Sequence, residues 1–122
     1  MFIRNFYDLD CWKVSYILTL DIYQLTQSFP NYERFGLSSQ IRRAAVSVSS
    51  NIAEGFSRRT SKEKISFYTI AAGSAREIHC QLFLAKGLDY IQEKEFIPAV
   101  QQVERTIQLL YGLIRKLNTR VP

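Results

Sequence analysis

Apolar residues recur at helical spacing in four stretches of the 122-residue sequence, and short polar segments separate these stretches. The helices that this pattern predicts cover residues 8–29, 37–56, 61–86 and 93–118. Pro30 ends the first helix and Gly87 ends the third, because proline interrupts a helix and glycine is favoured just after one. Helices joined by loops of a few residues predict an all-α, antiparallel up-down-up-down four-helix bundle, with residues 1–122 in a single domain.

The second and fourth helices each carry one continuous apolar stripe. In the second helix the stripe consists of Leu37, Ile41, Ala45, Val48 and Ile52, and most other side chains are small. We therefore expect other helices to surround the second helix. In the fourth helix, apolar residues from Phe96 to Leu117 alternate spacings of four and three, a heptad pattern typical of bundles. Pro98 fits best if this helix begins nearer Ile97.

The third helix begins with a capping-box pattern and contains a glycine in its interior. Thr60 and Glu63 have the spacing at which a hydroxyl and a carboxylate each accept a hydrogen bond from a free amide. Gly73 costs about 1 kcal/mol relative to alanine in a helix, so we expect a close helix crossing there. The positions that follow helical spacing are Phe67, Ile70, Ala71, Ser74, Ile78, Leu82 and Ala85.

The first helix carries two apolar stripes where a helix in a lone bundle needs only one. One stripe runs from Cys11 to Phe29, and the other contains Trp12, Tyr16 and Tyr23. Two stripes require more burial than a monomer supplies. The sequence therefore predicts a homo-oligomer with Trp12, Tyr16 and Tyr23 in its interface.

Composition and charge indicate a globular protein that is compatible with an acidic partner. Hydrophobic residues make up 47% of the chain and charged residues 22%. The net charge of +5 and the pI near 9.4 make nucleic acid the first candidate partner, although the charge also serves solubility. Cys11 and Cys80 lie in apolar stretches and are predicted to be buried free thiols. Because no signal sequence or membrane span is evident, we expect a cytoplasmic protein with no membrane partner.

The chain offers little material for catalysis. His79 is its only histidine, so a histidine dyad and His-rich metal sites are excluded. The sequence contains no Cys-x-x-Cys, no phosphate-binding glycine-rich loop and no Glu-x-x-His pair. We expect a non-enzymatic protein with no cofactor and no metal.

Polar residues at helical spacing on the second and third helices predict either a hydrogen-bonded network or a ligand pocket. Ser74, Glu77 and Gln81 lie on the third helix. Their natural complements on the second helix are Arg42 or Arg43, Ser50, Asn51 and Glu54. A network would fix helix register or subunit contacts, whereas a pocket would bind a ligand.

Basic residues gather at two places along the sequence. Arg58, Arg59, Lys62 and Lys64 lie around the start of the third helix, and Arg115, Lys116 and Arg120 lie near the C-terminus. Cations suit a helix C-terminus but oppose the dipole at a helix N-terminus. The cluster around the start of the third helix therefore favours a polyanionic partner, which we expect to be bound through phosphate contacts without base reading.

The segment GLSSQIRRAAVSVSSNIAEG, residues 36–55, resembles the signature of a bacterial four-helix-bundle family, the 23S rRNA intervening-sequence proteins. The flanking segments LDCWKVSYILTLDIYQLTQSFP and SFYTIAAGSAREIHCQLFLAKGLDYI fit the same pattern, so the resemblance extends from about Phe6 to Leu117. Ser49 stands where the family pattern usually has a proline. The matched polar and glycine positions are Gln40, Arg42, Arg43, Asn51, Glu54, Gly55, Glu77 and Gln81.

The resemblance implies a homopentamer of four-helix bundles, often encoded within inserts of 23S rRNA genes. Related bundles are accessory proteins of diversity-generating retroelements, which engage nucleic acid and a reverse transcriptase. The resemblance and the charge together predict binding of RNA or DNA, most simply RNA, with a reverse transcriptase as a further candidate partner. The alternative is a protein–protein interaction scaffold whose basic surface is incidental.

Overall fold

In the computed structural model, which describes residues 3–119, the chain forms four long helices. They are α1 (Asp10–Leu25), α2 (Leu37–Phe56), α3 (Ser61–Gly87) and α4 (Glu93–Asn118). Short 3-10 turns at Phe6–Asp8, Thr26–Ser28 and Asn31–Glu33 precede and follow α1. The described part of the chain contains no strand, so the predicted all-α class is confirmed and the arrangement is consistent with a four-helix bundle.

Hydrogen bonds between α1 and α2 show that these helices are antiparallel. The Ser15 and Ser49 hydroxyls are 3.1 Å apart, and one turn further along α1 the Thr19 hydroxyl donates to the carbonyl of Ala45 at 3.1 Å. Residue numbers therefore rise along α1 as they fall along α2. Each helix packs against the next one in sequence, and α4 closes the bundle against α1.

The helix ends depart from the predicted bounds mainly in α1. That helix was predicted over residues 8–29, but regular α-helix covers only Asp10–Leu25 and continues as a 3-10 turn through Ser28. Phe29 has an extended backbone because it precedes Pro30, whose ring disfavours the helical conformation for the residue before it.

The start of α4 shows that the alternative start nearer Ile97 is wrong. Glu95 lies in the first turn, where its side-chain oxygen Oε1 accepts a hydrogen bond of 3.0 Å from the backbone N–H of Gln92. This contact anchors the helix start at Glu93, well before Pro98. Pro98 is therefore inside the helix, where it lines a groove between α1 and α4.

The predicted capping box of α3 forms in part. The Thr60 hydroxyl accepts a hydrogen bond of 3.1 Å from the backbone N–H of Glu63, as predicted. The Glu63 carboxylate, however, accepts from the Thr60 hydroxyl at 2.9 Å and not from the Thr60 backbone amide. The Thr60 hydroxyl thus caps one backbone amide of the helix start, and the Glu63 carboxylate holds that hydroxyl in place.

The core confirms the predicted stripes of α2 and α4 and changes that of α3. The stripe residues of α2 and α4 are buried or half-buried. On α3, Tyr68, Ala72 and Ala75 are buried although the sequence analysis missed them, whereas Ile70 is 51% exposed. Helix α3 packs against both α2 and α4, and the core-facing side chains are those that point between these two helices. The periodicity of α3 alone does not show where its neighbours lie.

Three further expectations are wrong, and each of them depends on how neighbouring helices pack. The close helix crossing expected at Gly73 is absent, because a Cβ atom there would meet no atom within 4 Å. Helix α2 is not surrounded, since Arg43 and Val46 are exposed. Cys80 is an exposed free thiol, whereas Cys11 is buried and its burial raises the pKa of the thiol to about 12.

Candidate nucleic-acid interface

The antiparallel arrangement brings the predicted basic residues to one end of the bundle. The C-termini of α2 and α4 and the N-terminus of α3 lie at this end, beside the N-terminus of α1. We call it the basic end, and it carries Arg58, Arg59, Lys62, Lys64, Arg115 and Lys116. Arg120 lies outside the described residues.

The excess positive charge of the described chain falls in the half of the bundle that contains the basic end. Residues 18–46 and 74–105 make up the opposite half, and their basic and acidic side chains are equal in number. The positive excess therefore belongs to residues 3–17, 47–73 and 106–119. The bundle has one cationic end and one end that is close to neutral.

Lys64 has a structural role that the sequence analysis missed. Its amine donates to the backbone carbonyl of Phe56 at 2.6 Å and lies 3.5 Å from that of Gly55. These are carbonyls of the last turn of α2, which lack partners within the helix. Partial burial lowers the pKa of the Lys64 amine. This contact gives Lys64 a place in the fold that does not depend on a partner.

Arg58 is also held by protein contacts. Its guanidinium pairs with the Glu54 carboxylate, with Nη2 and Oε1 2.5 Å apart, and its Cζ atom lies 4.7 Å from the centre of the Phe67 ring. The side chain is only partly accessible. Arg58 therefore joins the end of α2 to α3 and has limited freedom to bind a ligand.

Four cations of the basic end remain available to a ligand. Arg59, Lys62, Arg115 and Lys116 are exposed, and none of them forms a hydrogen bond or an ion pair with the described residues. Arg115 and Lys116 also lie in the last turn of α4, where cations are favoured by the helix dipole. These four side chains form the candidate interface.

The predicted polar network does not form as one unit. The link between α2 and α3 is a hydrogen bond of 2.8 Å between the hydroxyls of Ser47 and Ser74, and Asn51 joins it by donating to the Ser47 hydroxyl at 3.1 Å. The sequence analysis named Ser50 of α2 as a partner and missed Ser47. Polarity alone does not show which of these serines faces α3.

The other members of the predicted network lie elsewhere. Arg42 donates to the Thr26 hydroxyl at 2.6 Å and so binds the end of α1, while Glu54 pairs with Arg58. Gln81 donates to Glu77 at 3.3 Å within α3. Gln40 and Arg43 are exposed. The hydrogen bonds Ser47–Ser74 and Arg42–Thr26 join neighbouring helices, and neither of the two grooves described within residues 3–119 is lined by more than one residue of the predicted network.

The residues predicted for an oligomer interface are partly exposed along α1. Trp12 is half-buried and stacks on Tyr16, with ring centres 5.2 Å apart. Tyr16 and Tyr23 are 47% and 41% exposed, and Ile17 and Leu20 beside them are also exposed. We call Tyr16, Ile17, Leu20 and Tyr23 the α1 apolar face.

Metal-binding clusters and membrane-spanning helices were both sought among the described residues. No cluster of three or more His, Cys, Asp or Glu side chains within residues 3–119 has the geometry to bind a metal ion. Among the helices in this range, none combines the length and the apolar character that crossing a membrane requires.

Comparison with known proteins identifies the family. A protein with unknown function from the S23 ribosomal protein family of Bacteroides thetaiotaomicron has a similar fold, with a TM-score of 0.80 and 24% sequence identity. The match covers 86% of this chain and 95% of that one. No curated protein matches the sequence. The family model described as 23S rRNA-intervening sequence protein matches residues 7–112, and the chain therefore belongs to this family.

Proposed function

We propose that the protein is a non-enzymatic nucleic-acid-binding protein that attaches to RNA through phosphate contacts at its basic end. The observation that carries the proposal is the segregation of charge: the positive excess of residues 3–119 falls in one half of the bundle, and Arg59, Lys62, Arg115 and Lys116 there have no hydrogen-bond or ion-pair partner within this range. Unpaired cations that converge on one surface attract a polyanion and release its counterions on binding.

The test is fluorescence anisotropy with a labelled structured RNA, titrated across salt concentrations. The logarithm of the affinity falls with the logarithm of the salt concentration, and each phosphate contact makes this slope steeper by roughly 0.7 to 0.9. We expect binding to weaken as salt rises. We expect the double variant Arg59→Ala/Lys62→Ala to reduce the magnitude of the slope by about 1.5. A DNA duplex of equal length shows whether RNA is preferred.

The matched control removes the same charge from the opposite half of the molecule. Lys94→Ala/Arg105→Ala alters two exposed cations that make no hydrogen bond or ion pair with the described residues. We expect this variant to bind RNA with nearly the slope of the wild-type protein. Equal losses in both double variants would mean that only net charge matters, and absence of binding at low salt would refute the proposal.

We propose further that the protein forms a homo-oligomer, as a pentamer, through the α1 apolar face. Soluble monomers rarely expose a contiguous apolar surface, and this face presents four large side chains along one helix. The same face is what the alternative function, a protein–protein interaction scaffold, would use.

Sedimentation analysis tests the assembly. We expect Leu20→Gln to lower the mass of the particle, because it places a polar group in the centre of the proposed interface. Ile97→Gln, a change of the same kind on α4, is the control. A monomeric wild-type protein, or a mass that Leu20→Gln leaves unchanged, would count against this interface and leave the α1 apolar face available to another protein.

A further inference from the structure

We propose that a pocket at the N-terminus of α2 binds the phosphate group of a small phosphate monoester. The pocket has a volume of about 350 Å³. Its lining includes Phe29, Pro30, Arg34, Ser38, Ser39 and Arg42. No carboxylate side chain lines it. It lies at the end of the bundle opposite the basic end, so it is separate from the proposed RNA interface.

The backbone of α2 offers hydrogen-bond donors to the pocket. The N–H of Leu37 is taken by the Glu33 carboxylate at 3.0 Å, and that of Gln40 by the carbonyl of Gly36 at 3.0 Å. The amides of Ser38 and Ser39, which lie between them, have no hydrogen-bond acceptor within residues 3–119. Free amides at the start of a long helix form a general site for anions.

An independent observation comes from the side chain of Ser38. This residue is only 8% exposed, yet its hydroxyl has no hydrogen-bond partner in the described part of the chain. The hydroxyl oxygen itself is open to the pocket, since it is not among the fully buried side-chain polar atoms that lack a partner. Ser38 lines the pocket, so a ligand oxygen there would satisfy the hydroxyl.

Two arginines supply positive charge at the same place. Arg42 is fixed by α1, donating through Nε to the Thr26 hydroxyl at 2.6 Å and through Nη2 to the carbonyl of Tyr23 at 3.1 Å. Its Nη1 group makes neither of these contacts. Arg34 lies in the turn before α2, four residues before Ser38, and is exposed at the rim of the pocket. Because α1 already holds the Arg42 guanidinium, Arg42 would bind phosphate with little loss of conformational freedom.

The surroundings favour an organic phosphate over a bare ion. Glu33 is the acidic group closest in sequence, but its carboxylate is engaged by Leu37 and by the Tyr90 hydroxyl at 2.7 Å and does not line the pocket. Phe29 and Pro30 add apolar surface beyond the polar groups. An apolar wall next to convergent donors is the usual composition of a site for a small ligand.

The experiment follows the backbone amides of ¹⁵N-labelled protein by NMR during titration with inorganic phosphate, ribose 5-phosphate and adenosine 5′-monophosphate. Chloride at equal ionic strength is the reference. We expect saturable shifts of the Ser38 and Ser39 amides with all three phosphates and none with chloride. Tighter binding of either monoester than of inorganic phosphate would identify the organic part as a contributor.

Matched variants separate the site from general charge effects. Arg34→Ala and Ser38→Val should each weaken phosphate binding about tenfold, since each removes a donor to a charged group. Arg43→Ala and Ser50→Val are the same changes at exposed positions of α2 outside the pocket lining and should leave binding unaltered. Unfolding curves confirm that all four variants fold.

Two outcomes would overturn the proposal. One is the absence of saturable shifts at Ser38 and Ser39 in the folded wild-type protein, and the other is equal weakening by Arg34→Ala and Arg43→Ala. RNA binding is measured separately on Ser38→Val. Because the basic end lies at the other end of the bundle, RNA affinity should be unchanged, so failure of one proposal is distinguishable from failure of the other.

Discussion

Two glycines in the helices have opposite surroundings, and the contrast shows what glycine does in this bundle. A Cβ atom built on Gly55 would lie 2.8 Å from Cε1 of Tyr68, a buried core residue of α3. A Cβ atom on Gly73 would meet nothing within 4 Å. Gly55 therefore permits the close approach of α2 to α3, whereas nothing in the structure explains the glycine at position 73.

The first prediction concerns this pair of glycines. We expect Gly73→Ala to raise the free energy of unfolding by about 1 kcal/mol, because alanine is the better helix former and the space is open. We expect Gly55→Ala to lower it by roughly 1–3 kcal/mol, because the new methyl group collides with Tyr68. Urea unfolding at one fixed protein concentration measures both variants. Stabilisation by Gly55→Ala would contradict the packing described here.

At the scale of helices, a small polar cluster joins the middle of α1 to the middle of α2. The Ser49 hydroxyl lies 3.1 Å from that of Ser15 and 3.2 Å from that of Thr19. The single proton of the Thr19 hydroxyl has two carbonyl acceptors, that of Ser15 at 2.8 Å and that of Ala45 at 3.1 Å. The Ala45 carbonyl is the one that the backbone N–H of residue 49 serves in a regular helix. If position 49 carried a proline, the Thr19 hydroxyl is placed to turn its proton from the Ser15 carbonyl to this one.

The second prediction asks whether the Thr19 hydroxyl can replace the backbone N–H of residue 49 as the donor to the Ala45 carbonyl. Proline inside a helix typically costs about 3 kcal/mol. We expect Ser49→Pro, relative to Ser49→Ala, to cost less than this because the Thr19 hydroxyl, 3.1 Å from the Ala45 carbonyl, is placed to donate there in place of the lost amide. In a Thr19→Val background the difference between the two variants should increase. Chemical unfolding of the four proteins forms a double-mutant cycle, and a coupling energy of zero would disprove the role of Thr19.

At the scale of the whole molecule, contacts of Tyr90 join the two loops at the end opposite the basic end. Glu33, between α1 and α2, accepts hydrogen bonds from the Leu37 amide and from the hydroxyl of Tyr90, which lies between α3 and α4. These bonds favour the ionised carboxylate and lower the pKa of Glu33, the Leu37 amide having the larger effect. Asp89 turns the chain toward this contact with a φ of 60°.

The third prediction is a pH dependence of stability. Because the pKa of Glu33 lies below its ordinary value of 4.5, ionised Glu33 stabilises the folded chain above that pH, and the contribution is lost as the pH falls through the lowered pKa. We expect Glu33→Gln to flatten the decline of unfolding free energy on the acid side of pH 4.5. Urea unfolding at several pH values measures it.

A control variant belongs with this measurement. Glu104→Gln removes an exposed carboxylate that makes no hydrogen bond or ion pair with the described residues, so its acid limb should match that of the wild-type protein. An acid limb that Glu33→Gln leaves as steep as before would show that the contact between the two loops contributes nothing to acid stability.

The whole molecule is also polarised in charge, and this property follows from topology. Basic residues of α3 and α4 that are far apart in sequence meet at one end because the helices alternate in direction. The sequence analysis found these residues, but it attributed all of the cluster before α3 to a partner. The structure shows that Lys64 instead caps α2. The helix whose carbonyls it serves is not the helix on which it lies.

The sequence by itself determined the four helices, their order and most of the core. Apolar spacing and end signals such as Pro30 and Gly87 are local, and the bounds predicted for α2 and α4 coincide with the helices observed. Periodicity defines the buried face of a helix that has one clear stripe, as in α4. Family membership also followed from the sequence, because the matched positions are contiguous stretches of it.

Tertiary structure decided which polar groups meet and which are left unpaired. The partners of Ser47, Lys64 and Arg42, the packing at Gly55 and the exposure of Cys80 depend on how neighbouring helices are rotated and where they cross. The pocket at the start of α2 likewise needs Arg34, Ser38 and Arg42 to be placed against the end of α1. Periodicity within one helix holds no information about these distances, because they are set by contacts between residues far apart in the chain.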